Sequence, residues 1–187
     1  MKKLILSLLV LFQLSAVAVF AQENKEEKKL TKKEKKELKM RERLEQKEVL
    51  LAIINEGRFV IETHTVYDRY GQSYNMNPNI NFVAIDKDKS TIQLAFNHLV
   101  GWNGVGGITL DGTVTKLEIN EGKNNKAIQV QMRVSNRGTG WADINISVSN
   151  DGYARAYIRG DFGERITFSG QLVSLEESSV YKGMPLF

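Results

Sequence analysis

The chain of 187 residues has no cysteine and only two prolines and two histidines. The lack of cysteine excludes disulfide bonds, thiolate zinc sites, a catalytic thiol and a lipid-modified cysteine. Two histidines provide no basis for a His-rich metal site. Neither His64 nor His98 has the spacing to an acid and a nucleophile that catalysis would need, so we expect structural or exposed roles for both. We therefore expect no metal, no cofactor and no enzymatic activity.

Long apolar runs are also scarce, and the N-terminus carries the main one. Residues 4–19 are almost wholly apolar and follow two lysines, and Val19 and Ala21 place compact residues at the −3 and −1 positions of a cleavage site. This pattern is typical of a secretory signal peptide, residues 1–21, cleaved after Ala21. A transmembrane anchor would need about 18 or more uninterrupted apolar residues, and Gln13 and Ser15 interrupt this run. We predict export to the periplasm or the extracellular space, with no transmembrane segment left after cleavage.

The formal charge of +4 and the pI of about 9.2 come from one segment. Residues 25–36 hold seven lysines and three glutamates, whereas residues 49–187 hold 13 basic and 14 acidic side chains. The larger part of the chain therefore has no bulk positive charge with which to bind nucleic acid.

Residues 22–56 form a charged leader that runs into a helix. They contain strong helix formers and no Gly or Pro, and we predict a helix over 38–56 that Gly57 ends, after a frayed start. The lysine run suits either a solvated spacer or binding to anionic lipid or nucleic acid. We favour the spacer because acidic residues are interleaved and no aromatic side chain is present for base stacking.

Residues 57–175 change to a period of two, which indicates half-buried antiparallel strands. Clear runs of alternating apolar and polar residues are 91–96, 127–134, 143–148 and 165–172. Strands at short spacing with turn residues between them predict a mainly-β domain, either a β-sandwich or a partly open β-barrel of about seven or eight strands. Residues 176–187 are expected to be a C-terminal tail.

One hairpin can be placed in register from the residues alone. A three-residue loop, 150–152, pairs Val148 with Ala154 and keeps apolar residues on one face. A two-residue turn would instead set inward Val148 opposite outward Arg155. The three-residue loop requires Gly152 in the left-handed conformation.

The same register predicts both faces of this hairpin. Asp143 lies opposite Arg159 on the outer face, where cross-strand pairs of opposite charge contribute about 0.2–1 kcal/mol. The inner face carries the small residues Ala154 and Ala156. They leave room either for a bulky neighbour such as Phe168, the commoner case, or for a ligand.

The run 86–90 begins like a calcium-binding loop. It lacks the glycine at the sixth position and the glutamate at the twelfth that an EF-hand requires, where this chain has Thr91 and Asn97. We therefore predict a polar hairpin turn between two strands.

Two sets of residues are candidates for binding a ligand. The glycine-rich stretch 101–107 lacks the Lys-Ser/Thr pair of a phosphate loop; it is either the lip of a pocket or, more simply, a wide turn whose tryptophan closes the end of the sheet. From this region we select His98, Trp102 and Asn103.

The second set is an aromatic and basic stripe on the outer face, which either binds glycan, peptide or another subunit or is covered by a helix or loop. It consists of Trp141, Tyr153, Arg155, Tyr157 and Arg159, of which Tyr153 and Tyr157 are the selected ligand-binding candidates.

Several of these runs, in their order, resemble a known family. They are Gly57-Arg58-Phe59-Val60, Ile108-Thr109-Leu110-Asp111-Gly112, Ile144-Asn145-Ile146-Ser147-Val148, Asn150-Asp151-Gly152-Tyr153-Ala154 and Ile166-Thr167-Phe168-Ser169-Gly170-Gln171-Leu172. Together they are similar to the bacterial family of domains of unknown function numbered 4251 (DUF4251), found in exported proteins of the Bacteroides group. The resemblance covers about residues 57–175. It implies an exported β-rich domain, and it implies no established activity and no functional residues.

The functional expectation is a non-enzymatic binding module of the periplasm or cell envelope. Its ligand would be a small apolar or glycan-like molecule held at one end of the sheet, because the mouths of β-barrels are common ligand sites. The alternative is a structural or assembly partner in the envelope that acts through protein–protein contacts. The partner is thus either an unknown small ligand or an envelope protein, and not nucleic acid.

Overall fold

The computed structural model describes residues 31–96, 104–123, 126–136, 138, 140–161 and 165–184. The predicted signal peptide and residues 22–30 of the leader lie outside the described residues. The chain divides into two compact units after Lys39. The described part of the first unit is the first turns of one helix, and the second unit holds the rest of that helix and the strands.

The described residues form one helix and nine strands. The helix, α1, runs over Lys32–Glu56. The strands are β1 (Arg58–Tyr67), β2 (Ser73–Asn75), β3 (Phe82–Asp86), β4 (Lys89–Ala95), β5 (Gly107–Asn120), β6 (Ile128–Asn136), β7 (Gly140–Val148), β8 (Tyr153–Gly160) and β9 (Arg165–Ser174).

All strands except β2 close into an antiparallel barrel. Each strand from β3 to β8 pairs with the next one in the chain, β3 also pairs with β1, and β9 pairs with β1 from Phe59↔Ser174 to Tyr67↔Thr167. The short strand β2 pairs with the far end of β1. The predicted mainly-β fold with one N-terminal helix is confirmed. Of the two architectures that the sequence left open, the structure is the barrel, and it is closed by the β1–β9 pairing.

The helix begins at Lys32 rather than at residue 38 because a capping box precedes it. The Glu34 N–H donates to Thr31 Oγ1 at 3.3 Å, and the Thr31 N–H donates to Glu34 Oε2 at 2.7 Å. This reciprocal pair satisfies two backbone donors at the helix start, and the backbone hydrogen bond from Thr31 lowers the pKa of Glu34. The predicted end is confirmed: Gly57 has φ +72° and its N–H donates to the Ile54 carbonyl at 3.0 Å.

The last turns of α1 pack at one end of the barrel, here called the helix end. Leu50 and Ile54 join the barrel's hydrophobic core. The buried Lys47 donates from Nζ to the carbonyls of Gly122 at 2.9 Å and Lys126 at 3.1 Å, in the β5–β6 connection. The helix end therefore holds the β5–β6 connection, and the alternation of antiparallel strands brings the β3–β4 and β7–β8 turns to the same end.

The β7–β8 hairpin has the predicted register. Val148 pairs with Ala154, and Ile144 pairs with Ile158. The Ser149 N–H donates to the Tyr153 carbonyl at 2.9 Å, and Gly152 has φ +81°. The small inner-face residues were predicted to leave room for a bulky neighbour such as Phe168. This is also confirmed, because Ala156 pairs with the buried Phe168 on β9.

Asp143 pairs in register with Arg159 as predicted, but its ion pair is with Arg133 on the other neighbouring strand. Arg133 donates from Nε to Oδ1 at 2.7 Å and from Nη2 to Oδ2 at 3.0 Å. This bidentate hydrogen bond lowers the pKa of Asp143. Bidentate arginine–carboxylate pairs are among the strongest side-chain hydrogen bonds.

The C-terminal residues cross the outer face of β3, β4 and β5. The buried Gln93 donates from Nε2 to the carbonyls of Ile80 at 3.0 Å and Tyr181 at 2.8 Å. Its Oε1 accepts from Thr109 Oγ1 at 2.7 Å and from the Gly183 N–H at 2.8 Å. Residues 178–184, which we call the tail strap, are therefore joined to the barrel wall by this one side chain and by further hydrogen bonds to Glu62 and Asn79.

Candidate ligand-binding cavity

A cavity of about 530 Å³ lies inside the barrel. Its rim includes residues of the β6–β7 and β8–β9 connections, among them Gly138 and Asp161. In an antiparallel barrel these connections lie at the end opposite the β5–β6 and β7–β8 turns. The cavity therefore lies toward the barrel end opposite the last turns of α1, which we call the far end.

The cavity wall is largely aliphatic because alternate residues of each strand point inward. It is formed by Ile92, Leu94, Ile108, Leu110, Val134, Ile158, Ile166 and Phe168. Small residues on the same faces, Ala142 and Gly160, leave the interior unfilled at this level. Gly112 leaves little room for a side chain in this wall, because a Cβ there would lie 2.4 Å from Val134 Cγ1 and 3.1 Å from the Ser135 carbonyl oxygen.

One polar side chain on the wall has no partner among the described residues. Ser90 is only 2% exposed, lines the cavity, and its Oγ makes no hydrogen bond there. Asn136 also lines the cavity, but its side chain donates to the Asp111 carbonyl and accepts from the Gly138 N–H at 2.6 Å. Of the charged lining residues, Asp161 and Arg165 are exposed at the rim, and Asp111 is half-buried with its carboxylate bound by Thr91 and Lys182. The cavity thus has apolar walls, a buried hydroxyl and a charged mouth.

The predicted site residues His98, Trp102 and Asn103 lie outside the described residues. On either side of that segment, Leu94 and Ile108 pair across β4 and β5 and line the cavity. A role for the three residues in binding stays a prediction.

The other two predicted site residues lie on the outer face of β8. Tyr153 is 42% exposed and Tyr157 is 37% exposed, and neither lines the cavity. Tyr157 borders a shallow outer depression of about 270 Å³ together with Tyr67, Arg155 and Thr167. The described candidates are thus separated from the cavity by the barrel wall.

Sequence reasoning missed the cavity residues Ser90, Gly112 and Ala142. Ser90 alternates with Ile92 and Leu94, so its inward position was readable. The predicted turn over 86–90 is confirmed by the pairing of Asp86 with Lys89, but Ser90 belongs to the strand that follows it. A signal for the cavity itself was absent, because its volume depends on which inward residues meet across the closed barrel.

Other kinds of site have little support among the residues that the structure describes. His64 is exposed at a bulge in β1. Within the described ranges no three His, Asp or Glu side chains are placed to hold a metal ion. Over the same part of the chain, no helix has the length and apolar character needed to cross a membrane.

The fold and the cavity define the class: a small closed antiparallel β-barrel with an N-terminal helix and an apolar cavity toward its far end. The model of the DUF4251 family, a domain of unknown function, matches residues 41–172. The chain belongs to this family, which confirms the resemblance seen in the sequence.

A solved structure supports the same assignment. The crystal structure of a DUF4251 family protein from Bacteroides eggerthii is 31% identical in sequence and superposes with a TM-score of 0.59. The match covers 71% of this chain and 90% of that one. No curated protein matches the chain.

Proposed function

We propose that the protein is a non-enzymatic binding protein that holds a small apolar ligand in the barrel cavity. The observation that carries the proposal is the cavity itself, about 530 Å³ in volume with aliphatic walls. Ligand pockets typically measure about 300–1,000 Å³ and are mostly apolar. The cavity lies toward the far end of the barrel, opposite the last turns of α1, so a ligand that enters from that end does not displace those turns.

Apolar burial is the driving force that this wall offers. Each Å² of apolar surface removed from water contributes about 25 cal/mol. The wall residues Ile92, Leu94 and Ile166 are only half-buried, so a ligand would bury wall surface as well as its own.

Filling the cavity from the wall is expected to weaken binding. In Ala142→Phe a ring replaces a methyl group that lines the cavity, so the affinity for an apolar probe falls by about tenfold or more, equivalent to about 1.4 kcal/mol. The probe is N-phenylnaphthylamine, whose fluorescence rises in apolar surroundings, titrated into the purified domain.

Ala52→Phe is the matched control, because Ala52 is exposed on α1. It makes the same substitution away from the cavity, and its affinity is expected to equal that of the unmodified protein. Equal probe affinity in both variants, or no probe binding to the unmodified protein, would contradict the proposal.

We further propose that the protein acts outside the cytoplasm. The support is the sequence pattern of residues 1–21. When the full chain is produced in a bacterium with a periplasm, the periplasmic fraction is expected to contain a protein that begins at Gln22, as measured by intact mass and N-terminal sequencing. Ala21→Arg removes the small residue at the −1 position and is expected to leave the uncleaved precursor. A cytoplasmic protein that retains Met1 would overturn this part of the proposal.

A further inference from the structure

We infer that the cavity takes neutral amphipathic molecules, which place a hydroxyl or carbonyl oxygen at the buried Ser90 and an apolar body along the wall. This inference rests on the proposed function and names the class of ligand. The observation behind it is the unpartnered Ser90 Oγ on a wall that is otherwise aliphatic.

Ser90 is buried, and it lies at one end of the cavity wall that β4 forms. On β4 it shares the inward face with Ile92 and Leu94, and it pairs with Gly112 on β5. At the other end of the same wall, Leu94 pairs with Ile108, which is 45% exposed. Leu94 is four positions after Ser90, a distance of about 13 Å at about 3.3 Å per residue. A molecule that extends from Ser90 to Leu94 therefore lies along an apolar wall for most of its length.

A buried hydroxyl without a partner is costly, and a ligand oxygen removes that cost. Serine Oγ is one donor and an acceptor, so it bonds equally well to an alcohol or to a carbonyl. A water molecule is the simpler occupant, but a buried water needs two to four polar partners. Among the described side chains on the cavity wall, Ser90 has the one buried polar group without a bond.

The charges around the cavity favour a neutral group at Ser90. Of the charged residues that line it, Asp161 and Arg165 lie exposed at the rim. The third, Asp111, is an anion whose carboxylate is already bound by Thr91 and Lys182. An ionised carboxylate beside Ser90 would lose its hydration without gaining a cation, which is strongly unfavourable. A fatty acid would therefore leave its carboxylate at the mouth, whereas an alcohol or ketone can bring its oxygen inside.

The test compares octanol with nonane, which have the same number of heavy atoms, in the unmodified protein and in Ser90→Ala. Displacement of N-phenylnaphthylamine gives the affinity for each. Ser90→Ala is expected to weaken octanol binding about fivefold, the size of a typical hydrogen bond, and to leave nonane binding unchanged or tighter. Octanoate, with its carboxylate at the mouth, is expected to bind both proteins alike. Because the substitution removes an unsatisfied hydroxyl, the variant is expected to melt no lower than the unmodified protein.

Ser73→Ala is the matched control, since Ser73 is exposed on β2, and it is expected to change none of these affinities. Unchanged octanol binding in Ser90→Ala, or equal weakening of octanol and nonane, would overturn the inference. If Ala142→Phe still blocks the probe in that case, the proposed function stands. If the probe does not bind the unmodified protein, the proposed function fails and the inference fails with it.

Discussion

Gly170→Ala is expected to lower the free energy of unfolding by about 3 kcal/mol or more and to weaken the β1–β9 pairing that closes the barrel. A Cβ at Gly170 would lie 1.8 Å from the Glu62 carbonyl oxygen and 2.8 Å from Thr63 Cα. These are backbone atoms, so no side chain can rotate away and the strands must separate. Overpacking of this kind typically costs about 1–3 kcal/mol and occasionally more.

Urea unfolding monitored by circular dichroism measures the free energy of unfolding, and hydrogen exchange shows which strands are weakened. The amides of β1 and β9 are expected to lose protection first. Gly160→Ala is the matched control, because a Cβ at Gly160 meets no atom within 4 Å. Its stability is expected to stay within about 0.5 kcal/mol of the unmodified protein. Equal stability of the two variants would contradict the close approach of β1 and β9.

Gln93→Ala is expected to cost about 2–5 kcal/mol and to release the tail strap from the barrel wall. Gln93 is fully buried and makes four hydrogen bonds, to Ile80, Tyr181, Thr109 and Gly183. Each bond contributes about 0.5–1.5 kcal/mol net, and the substitution also leaves its buried partners unsatisfied.

Limited proteolysis with mass spectrometry measures the release of the tail strap, and urea unfolding measures the stability. Cleavage is expected within residues 176–184 in the variant and not in the unmodified protein. Gln129→Ala is the matched control, because Gln129 is exposed and its side chain bonds to Ser147 on the outer face; it is expected to change neither quantity. A Gln93→Ala protein with an intact tail would show that other contacts hold the tail strap.

Much of the local structure was predictable because its causes lie close together in the chain. The alternation of apolar residues identified most of the strands, and the register of the β7–β8 hairpin followed from keeping Val148 and Ala154 on one face. The start of α1 was also readable, since Thr31 and Glu34 form a capping box, but the repeated like charges in that segment led to a later predicted start.

The site was less predictable because its residues are spread along the chain. Ser90, Ala142 and Phe168 come from three strands that meet around one cavity, and no spacing in the sequence links them. The outward Gln93 looked like an ordinary solvent-facing polar residue of β4, yet it is buried because a segment about 90 residues later covers it.

The sequence by itself determined a mainly-β chain with a charged N-terminal helix, its hairpin register and its family. It also showed that the net charge of +4 belongs to the leader rather than to the barrel. Only the tertiary structure decided between sandwich and closed barrel, because closure depends on β1 meeting β9 across the whole length of the domain. It also decided where the interior is filled and where a cavity remains. Local periodicity specifies which side chains point inward, whereas the space between them is set by the strands that meet.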